Sequence, residues 1–281
     1  MDIDRLYSFL IKSKRIIAVG CWSDMLPVLL VALEKVKKKF PEKIIILGGI
    51  GPTEVAEEIM DKFNFINFII KGCGILPLPA LIKKIIDEEK IFTDVKGLVY
   101  RDGKTIKSNA YNGFYLNSVT PDIIPYRRLK NIRSYDKFFI FTSSGCPYKC
   151  TYCQIPCLSQ KGVLYKDINK VIKEIMVIKK IKKNGKLTIL IRDEAFIVNR
   201  GRVVKFCNLL RAKKLNVRWR CYGRVDRIDG ELLEIMSKSG CEGIFFGVES
   251  GSNKILKKIK KGFTVEKAVE IVFLSKNTLK K

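Results

Sequence analysis

The chain contains no histidine and is short of acidic residues: 28 Asp and Glu stand against 54 Lys and Arg, a formal net charge of +26 over 281 residues. Without imidazole, every histidine-based general base, proton relay and mixed Cys–His metal site is excluded. Long apolar runs are missing too. The longest, "MLPVLLVAL" at 25–33, falls far short of the roughly 20 residues that cross a bilayer, so no membrane association is expected. The start, "MDIDRLYSFLIKSKR", is charged and leads into no apolar stretch, so no secretory leader is expected either. These absences point to the cytoplasm, where thiols stay reduced, and argue against reading the nine cysteines as a disulfide framework.

The basic excess is mostly lysine, 40 residues against 14 arginines. A field of this sign attracts phosphate and nucleic acid. The lysines, however, fall on polar helix faces such as "VIKEIMVIKKIKK" and "ILKKIKKG", and neither arginine forks nor interleaved aromatics stand out. Solvated lysine faces are the expectation, with RNA kept as a substrate option.

What is present is a strand-then-helix rhythm. "RIIAVG" (15–20) reads as a buried strand, followed by a helix through "DMLPVLLVALEKVKKKF". Then come "KIIILGG" (43–49), a helix from about Thr53 to Phe63, the short strand "NFIIKG" and a helix near "LPALIKKIIDEE". Apolar β-branched runs alternating with amphipathic helices predict a parallel sheet covered on its faces. Residues 1–95 therefore read as an incomplete Rossmann-like domain. Residues 96–136 read as a hairpin around Asp102-Gly103 and a proline-marked linker, "VTPDIIPYRRL". From 137 the rhythm resumes in four longer units, with strands "KFFIFTSS", "KLTILIRDE", "NVRWRCYGR" and "EGIFFGVES". The fold class expected is α/β, a partial Rossmann-like domain followed by a partial (β/α) barrel over 137–281. In such barrels chemistry gathers at the C-terminal ends of strands. There stand a cysteine loop after the first strand, Asp193 and Glu194 after the second, Arg224 after the third and Glu249 after the fourth.

The loop is "SSGCPYKCTYCQIPC", residues 143–157. Cys146, Cys150 and Cys153 have the spacing C-x3-C-x2-C, and three thiolates on one short loop can wrap a compact metal centre. An iron–sulfur cluster fits this spacing best. Zinc stays open as an alternative because Cys157 can supply a fourth ligand, and core thiols are the bland alternative. Cys207, Cys221 and Cys241 lie in helix, strand or loop contexts that suit core thiols. The turn at Gly48, Gly49 and Gly51 reads either as close approach to a cofactor or as an ordinary strand-to-helix turn.

"GCPYKCTYC" resembles the signature of the radical S-adenosylmethionine (SAM) enzymes, with Tyr152 at the aromatic position before the last cysteine. The likeness continues through "RDEAFIVNRGRVVKFCNLL" and "VRWRCYGRVDRIDGELLEIMSKSGCEGIFFGVESGSNKILKKIKKGFTVEKAVE". It extends to "ILGGIGPTEVAEEI" and "FIIKGCGILPLPALI", which are similar to parts of an N-terminal cobalamin-binding domain. The resemblance implies that Cys146, Cys150 and Cys153 bind three irons of a 4Fe–4S cluster and leave the fourth open to SAM. Cys157 is then a bystander. Reductive cleavage of SAM would give a 5′-deoxyadenosyl radical for C–H functionalisation or methyl transfer on an unknown substrate. Asp193 or Glu194 would accept from the SAM amino group, Arg224 would pair with its carboxylate, and Glu249 would hold ribose hydroxyls or neighbouring atoms. An electron donor such as ferredoxin or flavodoxin is the implied partner.

Two departures qualify the likeness. The D-x-H-x-x-G segment of histidine-ligating cobalamin domains is absent, and the chain carries about four of the family's six βα units. The expectation is a truncated or split product, or a partner that completes the barrel. Two alternatives accompany the enzyme reading, an RNA-modifying methylthiotransferase-like enzyme and a non-catalytic cluster-binding fragment.

Overall fold

The isoleucine-, valine- and leucine-rich segments Ile16–Gly20 (β1) and Ile44–Gly48 (β2) lie parallel, in register from Ile16↔Ile44 to Gly20↔Gly48. They open one of two compact units, residues 1–115 and 116–281, in a computed structural model that describes residues 2–110, 126–129, 131–155, 162–182 and 187–279. In the first unit α1 (Ile3–Leu10) starts on an Asp2 cap and packs on α2 (Leu26–Lys39), whose Leu33 and Val36 are fully buried. The single helix expected from Thr53 to Phe63 is two short ones, α3 (Ile50–Thr53) and α4 (Ala56–Lys62). Thr53 causes the break: its hydroxyl donates to the Gly49 carbonyl and accepts from the Gly72 amide, competing with helix continuation.

β3 (Phe68–Ile70) pairs parallel to β2, and α5 (Pro77–Ile86) follows. The hairpin expected around Asp102-Gly103 forms as β4 (Leu98–Asp102) and β5 (Thr105–Ser108), turning on Gly103 at φ +60°. It is not a free connector. β4 runs antiparallel beside β3, giving one sheet in the order β1-β2-β3-β4-β5. Arg101 fastens it there, donating to the carbonyls of Ile66 (2.7 Å), Phe63 (3.3 Å) and Met60, the last two at the C-terminal end of α4 where a cation is favoured.

The second unit holds a parallel sheet of β6 (Lys137–Ile140), β9 (Thr188–Ile191), β10 (Arg218–Gly223) and β11 (Cys241–Phe246), in the order β11-β10-β9-β6. Between β6 and β9 come a two-residue pair, β7 (Ser143–Ser144) with β8 (Leu164–Tyr165), and α6 (Ile168–Ile181). α7 (Arg200–Ala212), α8 (Gly230–Lys238), α9 (Asn253–Lys258) and α10 (Val265–Thr278) complete the unit. Alternation decides which face is covered. Phe138, Ile140, Ile189, Ile191, Trp219 and Cys221 form one core with the apolar stripes of α6, α7 and α8, including Ile175, Phe206 and Leu232. Trp219 is fully buried, in edge-to-face contact with Phe196 and Phe206, and donates its indole N–H to the Ser239 carbonyl. The opposite face, which carries Phe139, Arg218, Arg220 and Tyr222, is exposed. Among the described residues no helix is long and apolar enough to cross a membrane.

Candidate metal and cofactor site

Asp193 follows β9 and is fully buried. One carboxylate oxygen accepts from the Thr142 amide at 2.6 Å; the other accepts from the Thr142 hydroxyl at 2.5 Å and the Ser143 hydroxyl at 2.6 Å. Burial outweighs these bonds and raises its pKa above the ordinary aspartate value. Of the pair Asp193 and Glu194 expected to serve a ligand ammonium, Asp193 is enclosed, with its oxygens engaged by Thr142 and Ser143. What it does is pin the segment that leads into the cysteine loop. Glu194, one position on, points the other way. It reaches solvent and accepts from the Gly145 amide at 3.2 Å, next to Cys146. Neighbouring protein desolvates it enough to raise its pKa, with Asp193 adding to the effect.

Cys146, Cys150 and Cys153 are free and half-buried. The loop that carries them turns at Gly145 (φ +90°), closes a turn from the Cys153 amide to the Cys150 carbonyl (3.1 Å), and is tied to the end of α9 by Thr151 N–H···O=C Ile259 (3.3 Å). Burial pushes the Cys146 thiol up, and the thiols at 153 and 150 add to this while Arg224 opposes it. The three sulfurs thus feel one another. Yet among the described residues no three Cys, Asp or Glu side chains stand close enough together to hold one metal ion. Cys157 lies outside the described residues.

Arg224, just after β10, reaches the loop. Its Nη1 is 4.0 Å from Cys150 Sγ, and its guanidinium lies 3.7 Å from the centre of the Tyr148 ring. Nε and Nη2 are held by Asp226 at 2.9 and 3.1 Å, and Nη2 also donates to the Lys261 carbonyl. Burial works against this charge, and the pairing with Asp226 outweighs it. Arg227 donates from Nε to the Tyr148 hydroxyl at 2.5 Å, so Tyr148 is clamped between two arginines.

Glu249, past β11, sits at φ +72°, a left-handed conformation costly for any residue with a Cβ. Its carboxylate lies 3.4 Å from Lys261 Nζ and beside the Tyr152 hydroxyl. Partial burial, then Glu249, raises the Tyr152 pKa. Lys261 is 5% exposed, with Nζ 5.5 Å from the Tyr152 ring centre and 5.9 Å from that of Phe263. The sequence expectations of Tyr152, Glu194, Arg224 and Glu249 are thus gathered around the cysteine loop. Tyr148, Asp226, Lys261 and Phe263 were missed. Asp226 was signalled by its place in "RVDRID"; Lys261 was hidden at the end of a lysine run that otherwise reads as a solvated face.

Cys207, Cys221 and Cys241 are buried beside one another on the helix-facing side of the sheet, which fits core thiols. In the first unit a cavity of about 500 Å³ opens at the C-terminal ends of β1, β2 and β3, lined by Val19, Gly20, Gly48, Gly72, Gly74 and Leu78 among others. The Gly49–Gly51 turn answers to the backbone: a Cβ on Gly49 would stand 2.9 Å from Cys21 N, and one on Gly51 2.8 Å from Trp22 O.

Comparisons with known proteins show the family. The Radical SAM superfamily model matches residues 140–280, half of the chain. The chain belongs to the radical SAM superfamily, whose cofactors are a 4Fe–4S cluster and SAM. A protein of Methanocaldococcus jannaschii named as a methylthiotransferase is 30% identical over 257 residues, 87% of this chain and 53% of that protein. The anaerobic magnesium-protoporphyrin IX monomethyl ester cyclase of Rubrivivax gelatinosus is 26% identical over 260 residues, 87% of this chain and 45% of the cyclase. The chain thus spans about half the length of the curated relatives it matches. Its fold is similar to that of the cobalamin-dependent radical SAM enzyme OxsB, at a TM-score of 0.78 and 22% identity over 99% of this chain and 41% of OxsB. The radical SAM methyltransferase TsrM from Kitasatospora setae gives a TM-score of 0.75 and 16% identity over 99% of this chain and 57% of TsrM.

Proposed function

We propose that Cys146, Cys150 and Cys153 hold three irons of a 4Fe–4S cluster and that the chain carries out radical SAM chemistry, C–H functionalisation or methyl transfer, on a substrate bound at the same end of the second sheet. The observation that carries this reading is the convergence of three loop thiols, a thiol-facing guanidinium and two ligand-accessible carboxylates at one sheet end. A 4Fe–4S cluster held by Cys146, Cys150 and Cys153 and reduced by an external one-electron donor would supply the electron for reductive cleavage of SAM to methionine and a 5′-deoxyadenosyl group. The protein's part is to position, to neutralise and to exclude water. Glu194, with an oxygen accessible beside Gly145, is the acceptor for the SAM ammonium; Glu249 and Tyr152 provide paired acceptor and donor for hydroxyls. Arg224, fixed by Asp226, holds a positive charge against the Cys150 sulfur, a positioning role for the cysteine loop.

The 500 Å³ cavity of the first unit is the place for part of a cobalamin, bound without a histidine ligand because the chain has none. Such a 4Fe–4S cluster needs a reducing compartment and a one-electron donor of the ferredoxin or flavodoxin kind, which supports a cytoplasmic location. The test is anaerobic: chain reconstituted with iron and sulfide, then reduced with SAM present, is expected to form 5′-deoxyadenosine. None formed by chain with a full cluster would sink the catalytic reading. A second reading, RNA as substrate, is favoured by the +26 charge and the methylthiotransferase relative. Salt-dependent transfer RNA binding, against a cobalamin spectrum in purified protein, separates the two.

A further inference from the structure

Arg202 goes against its local surroundings in three ways. It sits in the first turn of α7, where the helix dipole disfavours a cation, and its amide is already capped by Asn199 at 3.0 Å. The side chain is half-buried, and burial lowers its pKa, with Asp193 opposing. Its Nε is buried without a hydrogen-bond partner among the described residues. The helix itself needs none of this. Costs of this kind persist where another part of the structure uses them.

The use lies at the neck of the cysteine loop. The chain enters the loop from β7 and returns through β8, strands matched only as Ser143↔Tyr165 and Ser144↔Leu164. A two-stranded ladder this short does not hold itself together in water. Just outside it, the Lys166 amide donates to the Thr142 carbonyl at 2.9 Å. Nη2 of Arg202 donates to both carbonyls of this closing pair, Thr142 at 2.8 Å and Lys166 at 2.6 Å. Bonds from an ionised donor are about twice as strong as neutral ones. The guanidinium also lies 5.1 Å from the centre of the Tyr165 ring, on the returning strand. Lys166 is anchored in turn, its Nζ 2.6 Å from the buried Glu174 of α6. Asp193 grips the outgoing side, at Thr142 and Ser143. Arg202 spans both sides.

We propose that Arg202 is a positioning residue for the cysteine loop: by joining Thr142 to Lys166 it fixes both ends of the segment that carries Cys146, Cys150 and Cys153, and so holds the thiols ready for a cluster. This rests on the cluster reading above. The test compares Arg202→Ala and Arg202→Lys with Arg200→Ala, a control on the same helix whose arginine pairs at the surface with Asp229 and Glu231. In full chain without a cluster, Arg202→Ala should speed amide hydrogen exchange at Lys166 at least about tenfold and leave the core amides of β9 and β10 unchanged. Arg202→Lys should recover part of this, since one ammonium can still donate to both carbonyls. In anaerobically reconstituted chain, loss of iron to the chelator bathophenanthroline disulfonate should quicken by a similar factor in Arg202→Ala and less in Arg202→Lys. Arg200→Ala should match the unaltered chain in both measurements. Unchanged exchange at Lys166 in Arg202→Ala, or faster exchange spread evenly over the second unit, overturns the proposal. So does a local increase that leaves iron release unchanged, since the neck then has no bearing on the thiols. Unaltered chain that assembles no cluster removes the cluster reading and the proposal with it; a cluster lost no faster from Arg202→Ala removes the proposal alone.

Discussion

At the scale of single residues, the site depends on which way each side chain leaves its strand. Asp193 and Glu194 are adjacent, so a strand end turns them to opposite sides: one pins the loop, the other faces solvent. Because the folded chain raises the Asp193 pKa, its contribution to stability is fully present below about pH 4, where the unfolded aspartate is also protonated. It declines as pH rises toward the elevated folded value. Asp193→Asn keeps the size and the acceptor for the Thr142 amide, and its NH2 can donate to the hydroxyls. Urea midpoints are therefore expected to change little at neutral pH and to lose part of their fall between pH 4 and 7. Asp193→Leu strands three donors and should cost about 3 kcal/mol or more. An Asn variant as unstable as Leu would contradict this account. Lys261, buried beside Tyr152 and Glu249, puts a second cation near the loop with Arg224. Lys261→Ala should shift the reduction potential of the reconstituted cluster to more negative values, and an unchanged potential would remove that role. The cysteines were legible in sequence because metal spacing is local. Lys261 was not, since burial of one lysine among many is decided by tertiary packing.

At the scale of elements, two glycines with positive φ make opposite predictions. Gly240 (φ +95°) joins α8 to β11, and a Cβ there would meet the Val217 carbonyl oxygen at 2.3 Å. Gly103 (φ +60°) turns the β4–β5 hairpin with nothing within 4 Å of a Cβ. Gly103→Ala should cost about 1–2 kcal/mol, the left-handed penalty alone. Gly240→Ala adds a backbone clash and should cost clearly more, about 3 kcal/mol or beyond, read from urea midpoints of the two variants. Equal losses would show that the α8–β11 junction relaxes freely. The strands and helices of both units were legible because their apolar periods are strong, as in "IIIL" and "TILI". The attachment of the hairpin to the first sheet was not. Asp102-Gly103 specifies a turn between two strands, but the neighbour of β4 is chosen by distant groups, notably the carbonyls of Met60, Phe63 and Ile66 that hold Arg101.

At the scale of the whole molecule, the charge and the chemistry have separate sources. Most of the +26 resides in lysine, whereas the residues around the cysteine loop form a small, internally paired group: Arg224 with Asp226, Lys261 with Glu249. Raising salt should therefore weaken any nonspecific polyanion binding far more than cluster assembly. The C-terminal ends of parallel strands were the right place to look for the site, and the sequence rhythm alone located them. What lay beyond sequence was which face of the second sheet α6, α7 and α8 cover, because alternation within a strand shows two faces without choosing between them. The measurement that tests the central claim most directly is the metal content of anaerobically reconstituted chain beside Cys150→Ala. The account predicts about four irons per chain with cluster absorbance, and loss of that absorbance in the variant. One tightly held zinc with no iron chromophore, or a cluster that survives Cys150→Ala, would contradict it.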